Sequence, residues 1–152
     1  MPHCCGHGGR QLRRSCWYST VRAIRRRLFI PSNPGHDLKL GIDGPAALTV
    51  TKNVNSAFHG IPDLHQWLTT DDISEVVICG ITTKHCCETT ARVAGNLGYR
   101  VWFVQDATHT FDPEGPHGRL IAAAVLQEVT VTNLHQEFAS IVDTADMVGA
   151  LR

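Results

Sequence analysis

No acidic residue occurs before Asp37. Every charged residue ahead of it is an arginine (Arg10, Arg13, Arg14, Arg22, Arg25, Arg26 and Arg27), yet the chain of 152 residues is formally neutral. Neutrality argues against an overall pull toward nucleic acid or an anionic membrane. No apolar run approaches the roughly 18 residues of a membrane-spanning helix. Arginines also interrupt any signal-peptide core behind the basic N terminus. The run 22–27 has no interleaved aromatics, which favours a solvated basic tail over a polyanion-binding surface. Disulfide-framework spacing is missing too: the cysteines stand at Cys4, Cys5, Cys16, Cys79, Cys86 and Cys87. A reducing, cytoplasmic compartment is expected. His3, Cys4, Cys5, His7 and Cys16 match no well-formed zinc pattern.

The chain divides near Pro31. Residues 1–30 are rich in Gly, His, Cys and Arg and carry no sustained hydrophobic period. Residues 31–152 are expected to form the folded domain, entered through a Pro/Gly-rich loop over 31–47. From Leu48 the pattern is regular. It predicts a strand over 48–52, a helix over 62–68, an apolar strand over 75–81 and a helix over 86–97 with Gly98 just past its end. A strand over 99–105, a loop over 107–117, a helix over 118–126 and a fourth strand over 128–132 follow. Asn133 is expected to cap a last helix reaching about Met147. Alternation of strand and helix predicts an α/β fold: a three-layer, open, mostly parallel, Rossmann-like sheet with helices on both faces. Sites in such sheets lie beyond the C-terminal strand ends, where Lys52, Gly80–Cys86 and Asp106–Thr110 fall.

Cys86 follows a strand and a tight turn and begins a helix. Unpaired N–H groups and the positive end of the helix dipole favour a thiolate there. A buried cysteine packing as a small hydrophobe is the bland reading; it suits Cys79 and Cys87, whereas the strand–turn–helix context favours a nucleophile at Cys86. Amides around Thr82 to Cys86 are candidates for an oxyanion hole. Lys52 is either a solvated strand-end lysine or a charge that lowers the thiol pKa. Asp106 reads as a cap. His85 and His109 read more readily as ordinary polar residues than as bases. Ser56 and Phe58 line a pocket or form a turn.

Gly80, Thr83 and Cys86 fit a Gly-x-x-Thr-x-x-Cys segment, and Lys52, Ser56, Ala57 and Phe58 fit Lys-x-x-x-Ser-Ala-Phe. With Gly98-Tyr99 and Asp106-Ala107, these residues make the chain resemble the isochorismatase-like cysteine hydrolases, which include nicotinamidases and N-carbamoylsarcosine amidases. The resemblance runs from residue 33 to about 150. It implies a C–N hydrolase acting on a small amide or carbamoyl compound, with Cys86 as nucleophile and Lys52 as second catalytic member. It further implies a cis peptide at Ile81–Thr82, and an oxyanion held by Thr82 and Cys86 amides. Ser56, Phe58, Thr83 and His85 would line the substrate pocket. No cofactor and no catalytic metal are expected, and a homo-oligomer is.

The family's opening strand, ending in a general-base aspartate, has no counterpart here, so the expected fold is N-terminally incomplete and its activity impaired. The competing expectation is a non-catalytic family remnant acting through oligomerisation or partner binding. A basic, metal-binding N-terminal module on a structural domain is the third.

Overall fold

The computed structural model describes residues 46–150. The calls on residues 1–45, including the basic segment, its cysteines and most of the Pro/Gly-rich loop, lie outside the described residues.

Strand β1 is Glu75–Ile81, a run of β-branched residues broken only by Cys79 and Gly80. It pairs in parallel with β2, Arg100–His109, which pairs in parallel with β3, Ser140–Val142. The register runs Glu75 with Arg100 to Ile78 with Phe103, then jumps to Gly80 with Thr108 and Ile81 with His109. The extra β2 residues form a bulge. Gly80 faces it at φ +120°, a backbone shape that side chains resist.

Helix α1 is Leu64–Thr70, opened by Asp63, whose carboxylate accepts from Gln66 N–H at 2.9 Å. Between β1 and β2 the chain makes a single π turn, Thr83–Cys87, and then helix α2, Glu88–Asn96. Gly98, at φ +87°, turns the chain back into β2 while Tyr99 N–H reaches the Ala94 carbonyl at 3.1 Å. Helix α3, Ala123–Leu134, links β2 to β3, and helix α4, Thr144–Ala150, follows. Val50, Leu64, Ile78, Cys87, Ala91 and Phe103 belong to one buried core. Gly95 lets α2 approach the next segment closely: a methyl there would lie 2.9 Å from the Phe138 carbonyl oxygen. Glu88 accepts from Thr130 of α3 at 2.9 Å and pairs with Arg92, which stacks over Phe138.

Several expectations are corrected. Residues 48–52 are not a sheet strand; only Thr51 pairs, through an isolated antiparallel bridge to Ile61. Residues 128–132 are helix: Val129, Thr130, Val131 and Thr132 have β-branched side chains, but Thr130 is anchored on Glu88 and Leu134 is buried. Packing overrides local propensity here. Asn133 lies inside that helix instead of capping a last one, and β3 and α4 occupy the stretch assigned to it. The helix expected over 118–126 begins at Ala123, and β2 continues to His109. The described sheet therefore has three strands, in the order β1-β2-β3. Val77, Cys79 and Ile81 are exposed, so β1 has one open face among the described residues.

Gly60 sits under the bridge. A methyl at this position would lie 2.3 Å from Val50 Cγ1 and 2.8 Å from the Thr51 carbonyl oxygen. Gly60→Ala is expected to lower stability by about 1–3 kcal/mol, the usual cost of overpacking. Urea denaturation measures it, and an unchanged midpoint would contradict the close approach.

Candidate active site

Residues 51–61 form a closed loop. At its base, Thr51 and Ile61 exchange two backbone hydrogen bonds of 2.8 Å. Inside it lies Lys52, only 2% exposed. A buried ammonium is costly unless its protons find acceptors. Lys52 Nζ donates to the Asn55 carbonyl at 2.7 Å and the Val54 carbonyl at 3.0 Å, so the loop wraps its own lysine. The 3-10 turn Ala57–His59 completes the loop. Ser56 Oγ accepts from Phe58 N–H at 3.2 Å, and Thr90 Oγ1 of α2 accepts from Ala57 N–H at 3.1 Å. Phe58 packs against Tyr99, with ring centroids 5.6 Å apart.

The second half is the turn after β1. The Ile81–Thr82 peptide is cis. The amides of His85 and Cys87 both donate to the Thr82 carbonyl at 3.2 Å, which removes both from any ligand-binding role. Thr83, Cys86 and Cys87 are buried, and His85 is exposed. The Cys87 thiol is pushed up to about 12, first by burial, then by the neighbouring Cys86 and Cys79, while the Lys52 charge pulls it down. That pull links the two halves electrostatically: the Lys52 ammonium is felt at Cys87, the neighbour of Cys86.

Asn55 Oδ1, Thr83 Oγ1 and Thr110 Oγ1 are buried without a hydrogen-bond partner. Each unpaired buried oxygen costs about 1–3 kcal/mol. Thr83 and Thr110 follow the paired C-terminal ends of β1 and β2, the edge on which sequence reasoning placed the site.

Of the other residues singled out from sequence, Asp106 is structural. Its carboxylate accepts from Thr144 N–H at 2.8 Å and Thr144 Oγ1 at 2.9 Å, holding the start of α4. His109 is exposed and stacks edge-on with Phe111 at 5.2 Å. Among the described residues, no group of three or more His, Cys, Asp or Glu side chains is arranged to hold a metal ion. No helix among them is long and apolar enough to cross a membrane. Sequence reasoning missed Thr90 and Thr130. Their contacts are to residues 33 and 42 positions away, beyond the reach of any local pattern.

A sequence model of the isochorismatase domain matches residues 10–144. The match begins inside the segment that sequence reading set apart, so the likeness extends further toward the N terminus than residue 33. The uncharacterized isochorismatase family protein YrdC of Bacillus subtilis is 36% identical over 122 residues, covering 80% of this chain and 65% of YrdC. Nicotinamidase 3 of Arabidopsis thaliana is 40% identical over 102 residues, covering 67% of this chain and 45% of that protein. The chain thus spans less than two thirds of the length of either relative. Among solved structures, an isochorismatase-family protein from Chromobacterium violaceum superposes with a TM-score of 0.78 at 30% identity, covering 88% of this chain and 69% of its own. A cysteine hydrolase from Pseudomonas syringae gives 0.71 at 27%, covering 80% and 57%.

The raised Cys87 thiol predicts alkaline sensitivity. The folded state keeps this proton while the unfolded thiol loses it near its ordinary value of 9.0, so stability falls as pH rises from there toward about 12. Cys87→Ala should flatten that limb of a denaturation-versus-pH series. An unchanged limb would show that Cys87 does not cause it.

Proposed function

The chain belongs to the isochorismatase family, and we propose that it is a cysteine hydrolase cleaving the C–N bond of a small amide or carbamoyl compound. One observation carries this reading: a buried lysine, wrapped by its own loop, whose charge is felt at Cys87, next to Cys86 in the same turn. A fixed cation beside a thiol favours the thiolate.

In this reading the Cys86 thiolate adds to the carbonyl carbon, and the oxyanion is held by the amides of Thr82 and Cys86. The C–N bond then breaks, and the leaving nitrogen takes a proton from water. Water attacks the resulting thioester, the C–S bond breaks, and acid and thiol are released. Lys52 supplies charge throughout, and Ser56, Phe58, Thr83 and His85 shape the surroundings. The unpaired oxygens of Asn55, Thr83 and Thr110 favour a polar ligand with N–H or O–H donors. The relatives whose names state an activity support the reaction class: a nicotinamidase and a streptothricin hydrolase. No cofactor takes part. The same reading places the protein in the cytoplasm as a homo-oligomer.

The open face of β1 favours a second reading, association with another copy or partner without turnover. Its exposed Val77 and Ile81 form a surface of the kind that other chains bury.

Ammonia release from a panel of small primary amides and carbamoyl compounds separates the two. The hydrolase reading predicts turnover that vanishes in Cys86→Ala and falls at least about 10²-fold in Lys52→Met. Release no faster than from Cys86→Ala, with a dimer by sedimentation, would support association instead.

A further inference from the structure

The lysine loop and the nucleophile helix are joined by a side-chain hydrogen bond, Ala57 N–H to Thr90 Oγ1, 3.1 Å long. Both residues are buried: Ala57 is 0% and Thr90 3% exposed. We propose that Thr90 is a positioning residue, fixing the Lys52 loop against α2 so that the ammonium keeps its place relative to the turn that carries Cys86 and Cys87. The inference rests on the hydrolase reading for its functional meaning, but the coupling of loop and helix is physical and separately measurable.

Three features make Thr90 the point of control. First, the opening of a 3-10 turn leaves amides unsatisfied. Ser56 serves the amide of Phe58, and Thr90 serves that of Ala57. Nothing nearer in the chain does the second task. Secondly, Lys52 is bound to the carbonyls of Val54 and Asn55, two and three residues before Ala57. A shift of the turn therefore carries these carbonyls, and the ammonium with them. The base of the loop at Thr51 and Ile61 is fixed by its own bridge, so Ala57 is where the free end is pinned. Thirdly, Thr90 is four residues after Cys86, one turn along the same segment, and α2 is in turn fastened to α3 through Glu88 and Thr130. The hydroxyl thus ties the loop to a rigid frame and not to a mobile surface.

Thr90→Val keeps the shape and removes the acceptor, leaving a buried amide without a partner. Thr90→Ser keeps the acceptor and removes a methyl. Amide exchange at Ala57 reads the tie itself, and the rate of Cys86 alkylation at neutral pH reads its consequence. Other groups around the turn are Lys84 and His85 on it, Cys79 on β1, Glu88 on α2, and Asp106 and His109 on β2. Glu88 is held by Arg92 and Thr130, and Asp106 by Thr144, bonds that neither substitution touches.

In Thr90→Val, Ala57 is expected to exchange at least about tenfold faster and Cys86 alkylation at neutral pH to slow about tenfold, as when a nearby opposite charge moves away. Turnover at neutral pH should fall about tenfold through kcat, with KM little changed. Thr90→Ser should stay within threefold of the parent in every readout. A folded Thr90→Val protein with parental Ala57 exchange, or an unchanged Cys86 alkylation rate, would overturn the proposal. So would a Thr90→Ser protein as impaired as the valine variant, since packing of the methyl would then be responsible. If Thr90→Val does not fold, the serine variant and Ala57 protection in the parent still decide. Rapid Ala57 exchange in the parent overturns the tie. Absence of turnover in every form, with the exchange and alkylation-rate changes intact, would remove the hydrolase reading and leave the positioning role standing.

Discussion

A buried ammonium is the constraint around which this part of the molecule is organised. Lys52 is as buried as the apolar core beside it, and a charge in that position survives only where oxygens are aimed at it. The chain supplies the Val54 and Asn55 carbonyls by curling around the lysine. That curl requires the Thr51–Ile61 bridge, the bridge requires a residue without a side chain at Gly60, and the turn that completes it borrows an acceptor from Thr90. Each step follows from satisfying the one before it.

The parallel sheet sets the other half. β1 ends at Ile81 against His109, so the turn carrying Cys86 emerges at the C-terminal edge, as expected for open α/β sheets. The turn then uses the Thr82 carbonyl to gather two amides, which fixes the orientation of the first helical residues. Two neighbouring cysteines acquire different characters from that geometry. Cys87 joins the apolar core and its thiol is driven far up, whereas Cys86 belongs to the same turn but not to that cluster.

Much of this was legible in the sequence, and the losses have physical causes. β1 was placed to the residue, because the β-branched run Val76-Val77-Ile78 behind the charged Glu75 leaves little ambiguity. The end of α2 was marked by Gly98, whose positive φ explains its presence. The error at 128–132 came from a Val-Thr-Val-Thr alternation that suits a half-buried strand but is held as helix by Thr130 and Leu134. β3 is three residues long and gives almost no periodic signal. The segment before Lys52 alternates like a strand, yet only Thr51 pairs, through its bridge to Ile61. Cys86, Lys52, Ser56 and Thr83 stood out by their spacing. Thr90 and Asn55 did not, because their significance exists only across the fold.

Delivery of the Lys52 charge to Cys86 is the central claim. The rate of Cys86 alkylation by iodoacetamide at neutral pH, followed by mass spectrometry in the parent and in Lys52→Met, measures this directly. Cys86 is expected to react at least about tenfold faster in the parent than in the unfolded chain, and to lose that advantage when the lysine is removed. A parental rate no higher than that of the unfolded chain, indifferent to Lys52, would contradict it.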